Sequence, residues 1–213
     1  AMPVVLYGSP STASLVVHWL LIELGIEHEL RQLDFDRLEQ KSPEYLALNP
    51  AGRVPTLVID GQVLTESAAI AMHLADLYPQ ADLAPAPGTP ARGDYYRWIC
   101  FCVYTLMPHY RAWFYPHEPA GPAHVEAVKE QARTALEAAW QQVADHLERH
   151  GGPYMLGGQL TVLDFLLTML MRWSRNMPRP TDRWPVLEAY ALRMKARPSF
   201  AEVYRREGIS DWT

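Results

Sequence analysis

The chain has 213 residues, a hydrophobic content of 49% and a formal net charge of -5 at pH 7. This length and composition support a buried core and exclude disorder for most of the chain, and the acidic balance without a basic stripe argues against nucleic acid as a partner. No apolar run reaches the roughly 18 residues of a membrane span, and a strand pattern already begins at Val4, so we expect no signal peptide, no membrane contact and a cytoplasmic location.

The first 79 residues alternate between strand and helix patterns. Apolar residues at every second position predict strands, and apolar residues three to four positions apart predict helices. Asp60-Gly61 is a strong two-residue turn signal between two short apolar runs. The predicted strands are at 4–7, 28–35 and on both sides of 60–61, and the predicted helices are at 15–24, 43–46 and 66–78. Their order, βαβαββα, describes a parallel unit, an antiparallel hairpin and a packing helix.

Composition changes between residues 80 and 90, where prolines and alanines make a poor helix and a poor strand. From residue 91 every pattern is helical, with a kink expected at Pro108. Thr161 and Asp164 have the spacing of an N-cap and an N3 acid, an acidic version of the capping box, which is a folding signal. We therefore expect a fold of class α/β plus all-α, with an α/β domain at 1–79, a linker at 80–90 and an all-helical domain at 91–213.

The two cysteines, Cys100 and Cys102, lie two positions apart in a helical pattern, about 200° around the axis. They form no redox or zinc motif, and we expect both to be buried by packing. The eight histidines show no ligand spacing either. We predict no metal.

Two predicted helix starts can attract an anion, because the first N–H groups of a helix are unpaired and its dipole is positive there. One of them is Glu66-Ser67. Ser67 offers a hydroxyl and an N–H to a carboxylate, and Glu66 can accept from an ammonium group. The pair suits the zwitterionic end of an amino acid, and plain helix capping is the alternative.

The other helix start is the hydroxyl-rich segment 11–14 after the first strand. Open sheets bind ligands where a strand ends and a helix begins. A hydroxyl there can donate to a thiolate: lowering a thiol pKa from about 8.5 by about two units takes roughly 2.7 kcal/mol. One charge-assisted hydrogen bond of about 1.5 to 3 kcal/mol, with the helix dipole, supplies that. Capping is the alternative and applies to at least one of Ser11, Thr12 and Ser14.

Val54-Pro55 stands at the head of the first hairpin strand. A proline is tolerated there because no ladder donor is needed. Since only about 5% of X-Pro bonds are cis, the residues alone predict a trans bond.

Four segments, in this order, resemble a known family. They are Leu-Tyr-Gly-Ser-Pro-Ser-Thr-Ala-Ser-Leu at 6–15, Asn-Pro-Ala-Gly-Arg-Val-Pro-Thr-Leu at 49–57, Leu-Thr-Glu-Ser-Ala-Ala-Ile at 64–70 and Leu-Thr-Val-Leu-Asp-Phe at 160–165. Each is weak singly, but together they resemble the soluble glutathione S-transferases of bacterial type over essentially the whole chain. The resemblance implies a thioredoxin-like N-terminal domain, an all-helical C-terminal domain and a homodimer.

The resemblance also implies roles for the second segment and the third. Val54-Pro55 would be cis, with the Val54 backbone pairing with the cysteinyl part of glutathione. Glu66 and Ser67 would hold the γ-glutamyl end. Arg53 would reach the glycyl carboxylate, and a solvated loop charge is the alternative for this residue.

The hydroxyl-rich segment departs from the better-known family patterns. Ala13 stands where a related bacterial class and the thiol-transferring classes place a cysteine, so mixed-disulfide chemistry is not expected. Thr12 stands where the serine-type classes place their activating hydroxyl, and Ser11 and Ser14 flank it. These three are the candidate catalytic residues, while Tyr7 is expected to be a strand residue beneath the site, with a tyrosine-type mechanism as the alternative.

A hydrophobic electrophile, the second substrate, would lie against an apolar and aromatic wall at 102–115, although part of that wall can instead be helix-bundle core. The candidate wall residues are Tyr104, Met107, Tyr110 and Trp113. The function we expect from the resemblance is a transferase that conjugates the glutathione thiolate to the electrophile. The alternatives are a glutathione-dependent isomerase or dehalogenase and a non-catalytic binding protein of the same fold.

Overall fold

A mixed sheet of four short strands forms the first part of the chain in the computed structural model, which describes residues 2–213. The strands are β1 (Val5–Gly8), β2 (Glu29–Gln32), β3 (Thr56–Ile59) and β4 (Gln62–Thr65). Their order in the sheet is β2-β1-β3-β4. β1 is parallel to β2, and both other pairings are antiparallel. The predicted parallel unit followed by a hairpin is confirmed.

The hairpin turn sets the register of β3 and β4. Asp60 and Gly61 have φ values of +50° and +76°, and two consecutive positive φ values are typical of the tight turn that matches the twist of paired strands. The turn aligns Ile59 with Gln62 and Thr56 with Thr65. The far end of the hairpin, where β3 begins and β4 ends, is therefore fixed by two residues at the turn.

Three helices accompany the sheet in sequence: α1 (Ser14–Glu23), α2 (Pro43–Leu48) and α3 (Ser67–Leu77). Every residue of α1 from Ser14 to Leu21 is buried, as its apolar character on nearly all faces requires. Leu6 of β1 and Leu57 of β3 are completely buried. Ser42 begins α2 by accepting a hydrogen bond from the Tyr45 N–H at 3.2 Å.

The rest of the chain is helical apart from its connections. The helices are α4 (Pro90–Phe101), α5 (Met107–Phe114), α6 (His117–Ala120), α7 (Val125–His150), α8 (Val162–Trp173), α9 (Pro185–Lys195) and α10 (Pro198–Glu207). At the start of α8, Asp164 accepts from the Thr161 N–H at 2.9 Å, which confirms the acidic half of the predicted capping box. Within residues 2–213 no helix has the length and apolarity needed to cross a membrane.

A π-helical turn at Cys102–Leu106 joins α4 to α5. In a regular α-helix Pro108 has no N–H for the Tyr104 carbonyl, and its ring crowds that carbonyl. In the wider turn the Met107 N–H donates to the Cys102 carbonyl, five residues earlier. The irregularity predicted near Pro108 takes this form.

The two cysteines differ in environment. Cys102 is completely buried, and burial raises the pKa of its thiol, whereas Cys100 is exposed. The expectation that both are buried is wrong for Cys100, because two positions along a helix turn a side chain to the opposite face. No group of three or more metal-ligating side chains occurs in the described part of the chain.

Two compact units divide the chain. The first runs to Ala84 and also contains Lys195–Thr213, and the second is Pro85–Met194. α10 packs on α1 in the first unit, where the Trp19 indole N–H donates to the Ser199 hydroxyl at 2.7 Å and Arg197 pairs with Glu23. Compact units need not coincide with domains, so the boundaries at 1–79, 80–90 and 91–213 stay a prediction.

Candidate functional site

The loop between β1 and α1 is closed by hydrogen bonds among three residues. The Thr12 hydroxyl donates to the Ser9 carbonyl at 2.7 Å, and its oxygen lies 2.9 Å from the Ser14 hydroxyl oxygen. The Ser9 N–H donates to that Ser14 oxygen at 3.1 Å, and the Ser14 oxygen is 3.1 Å from the Ser9 carbonyl. Ala13, the N-cap of α1, provides no side-chain cap, so the Thr12 oxygen accepts from the Ser14 N–H at 3.3 Å instead.

The three candidate hydroxyls of this loop differ in access. Ser11 is exposed and Thr12 is half-buried. Ser14 is only 2% exposed. A side chain at Gly8 would place its Cβ 2.6 Å from the Ser14 hydroxyl oxygen. Ser14 therefore lies inside the loop, and Thr12 and Ser11 are the hydroxyls that a ligand can reach.

A cavity of about 460 Å³ lies beside this loop. It is lined by Ser9 and Pro10 on one side and by residues 32–36 on the other. Because β1 and β2 are parallel, these two segments follow the carboxyl ends of neighbouring strands, where open sheets bind ligands. The Asp34 carboxylate accepts from the Asp36 and Arg37 N–H groups at 2.9 and 3.3 Å, which fixes the second side of the cavity.

The peptide bond between Val54 and Pro55 is cis, as the family resemblance implies and contrary to the expectation from residue type alone. Neither the N–H nor the carbonyl of Val54 hydrogen-bonds to any residue in 2–213. This stretch of backbone precedes β3 and is not paired in the sheet. It can therefore pair with an extended peptide.

The Tyr45 network, formed by Tyr45, Asn49 and Thr56, holds the loop that leads to Val54. All three side chains are buried. The Tyr45 hydroxyl and the Asn49 amide donate to the Arg53 carbonyl at 2.5 and 2.9 Å. Because the one hydroxyl proton of Tyr45 is used there, Thr56 donates to Tyr45 at 2.7 Å. Burial raises the pKa of Tyr45, so the phenol stays a donor at neutral pH.

Sequence reasoning missed the Tyr45 network. A local signal for part of it exists, because asparagine before a turn often accepts from the N–H two residues later, and Asn49 accepts from the Ala51 N–H at 3.1 Å. The contacts of Tyr45 with Arg53 and Thr56 depend on how α2 packs, and no local pattern predicts them.

At the start of α3, Glu66 has φ +71° and ψ +106°. A positive φ is uncommon for a residue other than glycine, and such backbone strain is concentrated at functional sites. Glu66 is exposed and Ser67 is 5% exposed. Within residues 2–213 the side chains of Glu66, Ser67 and the exposed Arg53 make no hydrogen bond or ion pair. These three polar side chains are available to a ligand.

The strand register brings the three segments together. Tyr7 in β1 is opposite Thr56 in β3, and Thr56 is opposite Thr65 in β4. Just beyond these positions lie the loop between β1 and α1 (residues 9–13, the hydroxyl loop), Val54-Pro55 before β3 and Glu66-Ser67 after β4. One end of the sheet therefore carries a hydroxyl cluster, an unpaired backbone edge and a helix N-terminus.

Tyr7 belongs to the strand beneath this end. Its hydroxyl accepts from an Arg31 guanidinium N–H at 2.8 Å, and Arg31 is its partner across the β1–β2 ladder. The Tyr7 ring lies 5.8 Å from the ring of Tyr45. The Tyr7 hydroxyl is thus engaged by a cation.

The predicted electrophile wall belongs to the second unit. Tyr104 is 77% exposed, and Met107 and Trp113 are partly exposed. Tyr110 is completely buried, and its hydroxyl accepts from the Trp140 indole N–H at 3.1 Å. Tyr110 is a core residue that supports the helix, so it does not form part of an accessible surface.

Comparison with known proteins gives matches across both parts of the chain. Two family models match: the glutathione S-transferase N-terminal domain at residues 2–76 and the glutathione S-transferase C-terminal domain at residues 105–206. Glutathione S-transferase GST-4.5 of Xanthomonas campestris pv. campestris is 32% identical over 209 residues, which cover 96% of this chain and 99% of that protein.

Two solved structures extend the comparison. BphK, a bacterial GST solved as a ternary complex, is 36% identical, with a TM-score of 0.84 and coverage of 96% of this chain and 100% of that one. A glutathione transferase homolog from Sulfitobacter with bound glutathione is 27% identical, with a TM-score of 0.88 and coverage of 99% and 100%.

Proposed function

The chain belongs to the glutathione S-transferase family, and we propose that it conjugates the glutathione thiolate to a hydrophobic electrophile. The observation that carries the proposal is the register-fixed end of the sheet. There the hydroxyl loop, the unpaired Val54 backbone and the uncommitted Glu66-Ser67 pair adjoin one another. A bound tripeptide with a thiol and two charged ends needs these three kinds of group.

The proposed roles follow from the chemistry of each group. The Val54 N–H and carbonyl pair with the cysteinyl backbone, and Pro55 holds that edge at the head of β3. Ser67 and the first N–H groups of α3 bind the γ-glutamyl carboxylate, and Glu66 accepts from its ammonium group. Arg53 binds the glycyl carboxylate, for which a guanidinium offers two parallel donors.

The proposed reaction is a substitution or addition at the electrophilic carbon, with sulfur as the nucleophile. The glutathione S–H bond breaks and its proton leaves to solvent, while a loop hydroxyl, Thr12 or Ser11, donates to the thiolate; the buried Ser14 is not in reach. The sulfur electron pair then forms a bond to the electrophilic carbon. A leaving group departs with its electron pair, or an adjacent double bond takes up the electrons and later a proton. No metal is needed in this scheme.

The electrophile is proposed to bind on the second unit at Tyr104, Met107 and Trp113. These side chains are apolar or aromatic and at least partly exposed, so they select by area and shape more than by hydrogen bonds. Tyr110 supports them from the core. A homodimer in the cytoplasm completes the proposal.

Retention on immobilised glutathione followed by an assay with chlorodinitrobenzene tests the function. We expect retention, elution by free glutathione and formation of the conjugate. Retention without a product from a panel of hydrophobic electrophiles would contradict the transferase. Product analysis identifies the alternative chemistry, because an isomerase returns glutathione unchanged.

A further inference from the structure

The number of hydroxyl protons in the loop between β1 and α1 limits which hydroxyl can donate to a thiolate. Thr12 and Ser14 have one hydroxyl proton each. Both oxygens lie within hydrogen-bond distance of the Ser9 carbonyl, at 2.7 and 3.1 Å. Thr12 donates to the Ser9 carbonyl at the shorter distance, so the only hydroxyl proton of Thr12 is used inside the loop.

A thiolate next to Thr12 needs that same proton. When the Thr12 O–H rotates toward sulfur, the Ser9 carbonyl loses the hydrogen bond from Thr12. An unpaired carbonyl in a partly buried loop costs free energy comparable to that of a lost hydrogen bond. Unless another donor reaches the carbonyl, it competes with sulfur for the Thr12 proton.

Ser14 is the donor placed to replace Thr12. Its oxygen accepts from the Ser9 N–H at 3.1 Å. Its one proton has two acceptors within reach, the Thr12 oxygen at 2.9 Å and the Ser9 carbonyl at 3.1 Å, so it can turn from the first to the second. The Thr12 oxygen keeps an N–H donor in either state, because the Ser14 N–H lies 3.3 Å away. Ser14 is 2% exposed and does not reach a ligand itself.

We propose that Ser14 is a positioning residue that takes over the Ser9 carbonyl and thereby frees the Thr12 hydroxyl to donate to the glutathione thiolate. The inference rests on the proposed glutathione chemistry and deepens it, because it divides the three candidate hydroxyls by role. Thr12 touches sulfur, and Ser14 acts through Thr12.

Gly8 is part of the same arrangement. An alanine at this position would place its Cβ 2.6 Å from the Ser14 oxygen and 2.8 Å from the Ser14 Cβ. Gly8→Ala therefore displaces the Ser14 hydroxyl without deleting it. It provides a second perturbation of Ser14 that does not depend on the folding of a Ser14 variant.

The test is the pKa of the bound glutathione thiol, titrated by the ultraviolet absorbance of the thiolate with saturating glutathione and no electrophile. The variants are Ser14→Ala, Thr12→Val, the double variant, Thr12→Ser and Gly8→Ala. Glutathione affinity by calorimetry and the melting temperature are measured on each. Ser199→Ala is the matched control, because it deletes another buried hydroxyl of the first unit, the acceptor of the Trp19 indole N–H.

Wild type is expected to bind glutathione with a thiol pKa about two units below the free value, and Thr12→Val to abolish that difference. Ser14→Ala and Gly8→Ala are each expected to raise the bound thiol pKa by about one unit. The double variant should match Thr12→Val alone, and Thr12→Ser should match wild type. Ser199→Ala should lower the melting temperature and leave the pKa of the bound glutathione thiol unchanged.

The inference is overturned if Ser14→Ala and Gly8→Ala lower stability or affinity but leave the bound thiol pKa unchanged, which is the behaviour of a purely structural residue. It is also overturned if Ser14→Ala raises that pKa further in the Thr12→Val background. Failure of the proposed function has a different signature, since wild type would then not bind glutathione or would leave its thiol pKa at the free value.

Discussion

The starts of α8 and α3 contain similar residues, an acid and a hydroxyl side chain, in different hydrogen-bonding environments. At the start of α8, the Asp164 carboxylate accepts from the N–H groups of Thr161 and Met155 at 2.9 and 3.0 Å and from the Tyr190 hydroxyl at 2.6 Å, all of them buried. At the start of α3, the Glu66 and Ser67 side chains make no hydrogen bond or ion pair to any described residue.

The difference between them is whether the chain supplies its own partners. Both starts place an acid and a hydroxyl residue near unpaired N–H groups, which is typical of capping. In α8 the acid accepts three hydrogen bonds from the chain itself, so the start stabilises the fold. In α3 the two side chains have no hydrogen-bond partner among the described residues and Glu66 has a positive φ, so they are available to a ligand. Sequence spacing alone does not separate the two cases.

Asp164→Ala is expected to have the largest effect. It leaves two buried N–H groups and the buried Tyr190 hydroxyl without an acceptor, at about 1 to 3 kcal/mol for each unsatisfied group. We expect the free energy of unfolding, measured in urea, to fall by roughly 4 kcal/mol or more. Asp182→Ala, an exposed acid of the same unit, is the control. A loss below about 1 kcal/mol would show that α8 does not depend on this carboxylate.

The pH dependence of stability gives the next effect. Burial raises the pKa of Asp164 to about 6, above the value of about 3.9 for an unfolded chain. The protonated form is therefore favoured in the folded state. This contribution is fully present below about pH 4 and is lost as pH rises through 6.

We accordingly expect the free energy of unfolding of wild type relative to Asp164→Asn to decrease between about pH 4 and pH 7, by up to roughly 3 kcal/mol. Urea unfolding at a series of pH values measures it. A difference that increases with pH would mean that the three donors around Asp164 outweigh its burial.

Asn49→Ala tests a region that shares features with both helix starts. The Tyr45 network is hydrogen-bonded within the chain, as at α8, but it holds the loop that leads to Val54 at the proposed glutathione site. The variant loses hydrogen bonds to the Arg53 carbonyl, the Thr56 hydroxyl and the Ala51 N–H. We expect a stability loss of about 2 kcal/mol together with weaker glutathione binding. Asn176→Ala, at an exposed position, is the matched control. A stability loss with unchanged glutathione affinity would separate the network from the site.

Ser67→Ala is expected to have the smallest effect on stability and a clear effect on binding. Removal of one hydrogen bond to a carboxylate, about 1.4 kcal/mol, should raise the glutathione KM roughly tenfold and leave the unfolding midpoint nearly unchanged. Thr89→Ala is the control. Thr89 is the N-cap of α4, and its side-chain oxygen already accepts from the Arg92 N–H at 3.2 Å. This variant should lower stability without changing KM. An unchanged KM in Ser67→Ala would remove Ser67 from the proposed site.

The predictable features are those that depend on neighbours in sequence. Asp60-Gly61 specifies a turn through its own φ values, and Thr161 with Asp164 specifies a helix start within four residues. The strand order then follows from short connections. The Glu66-Ser67 pair and the loop between β1 and α1 can be located in the sequence for the same reason, since each is a local pattern next to a predicted element; their roles stay a prediction.

The features that sequence reasoning missed depend on tertiary packing. Tyr45 reaches the Arg53 carbonyl only because α2 folds back over the loop. Tyr110 has the composition of a binding-wall residue, yet the hydrogen bond from Trp140, 30 positions away, places it in the core. Ser14 likewise lies inside its loop because the chain folds back there, so that the Ser9 N–H donates to the Ser14 oxygen five residues later.

The packing of α10 on α1 has a consequence for biosynthesis. Trp19 and Glu23 appear early on the ribosome, whereas their partners Ser199 and Arg197 are added only after the whole second unit has been translated. During that interval the buried residues of α1 around Trp19 lack the cover that α10 provides in the folded chain. The first unit is therefore completed only after the second has been translated, when α10 docks on α1.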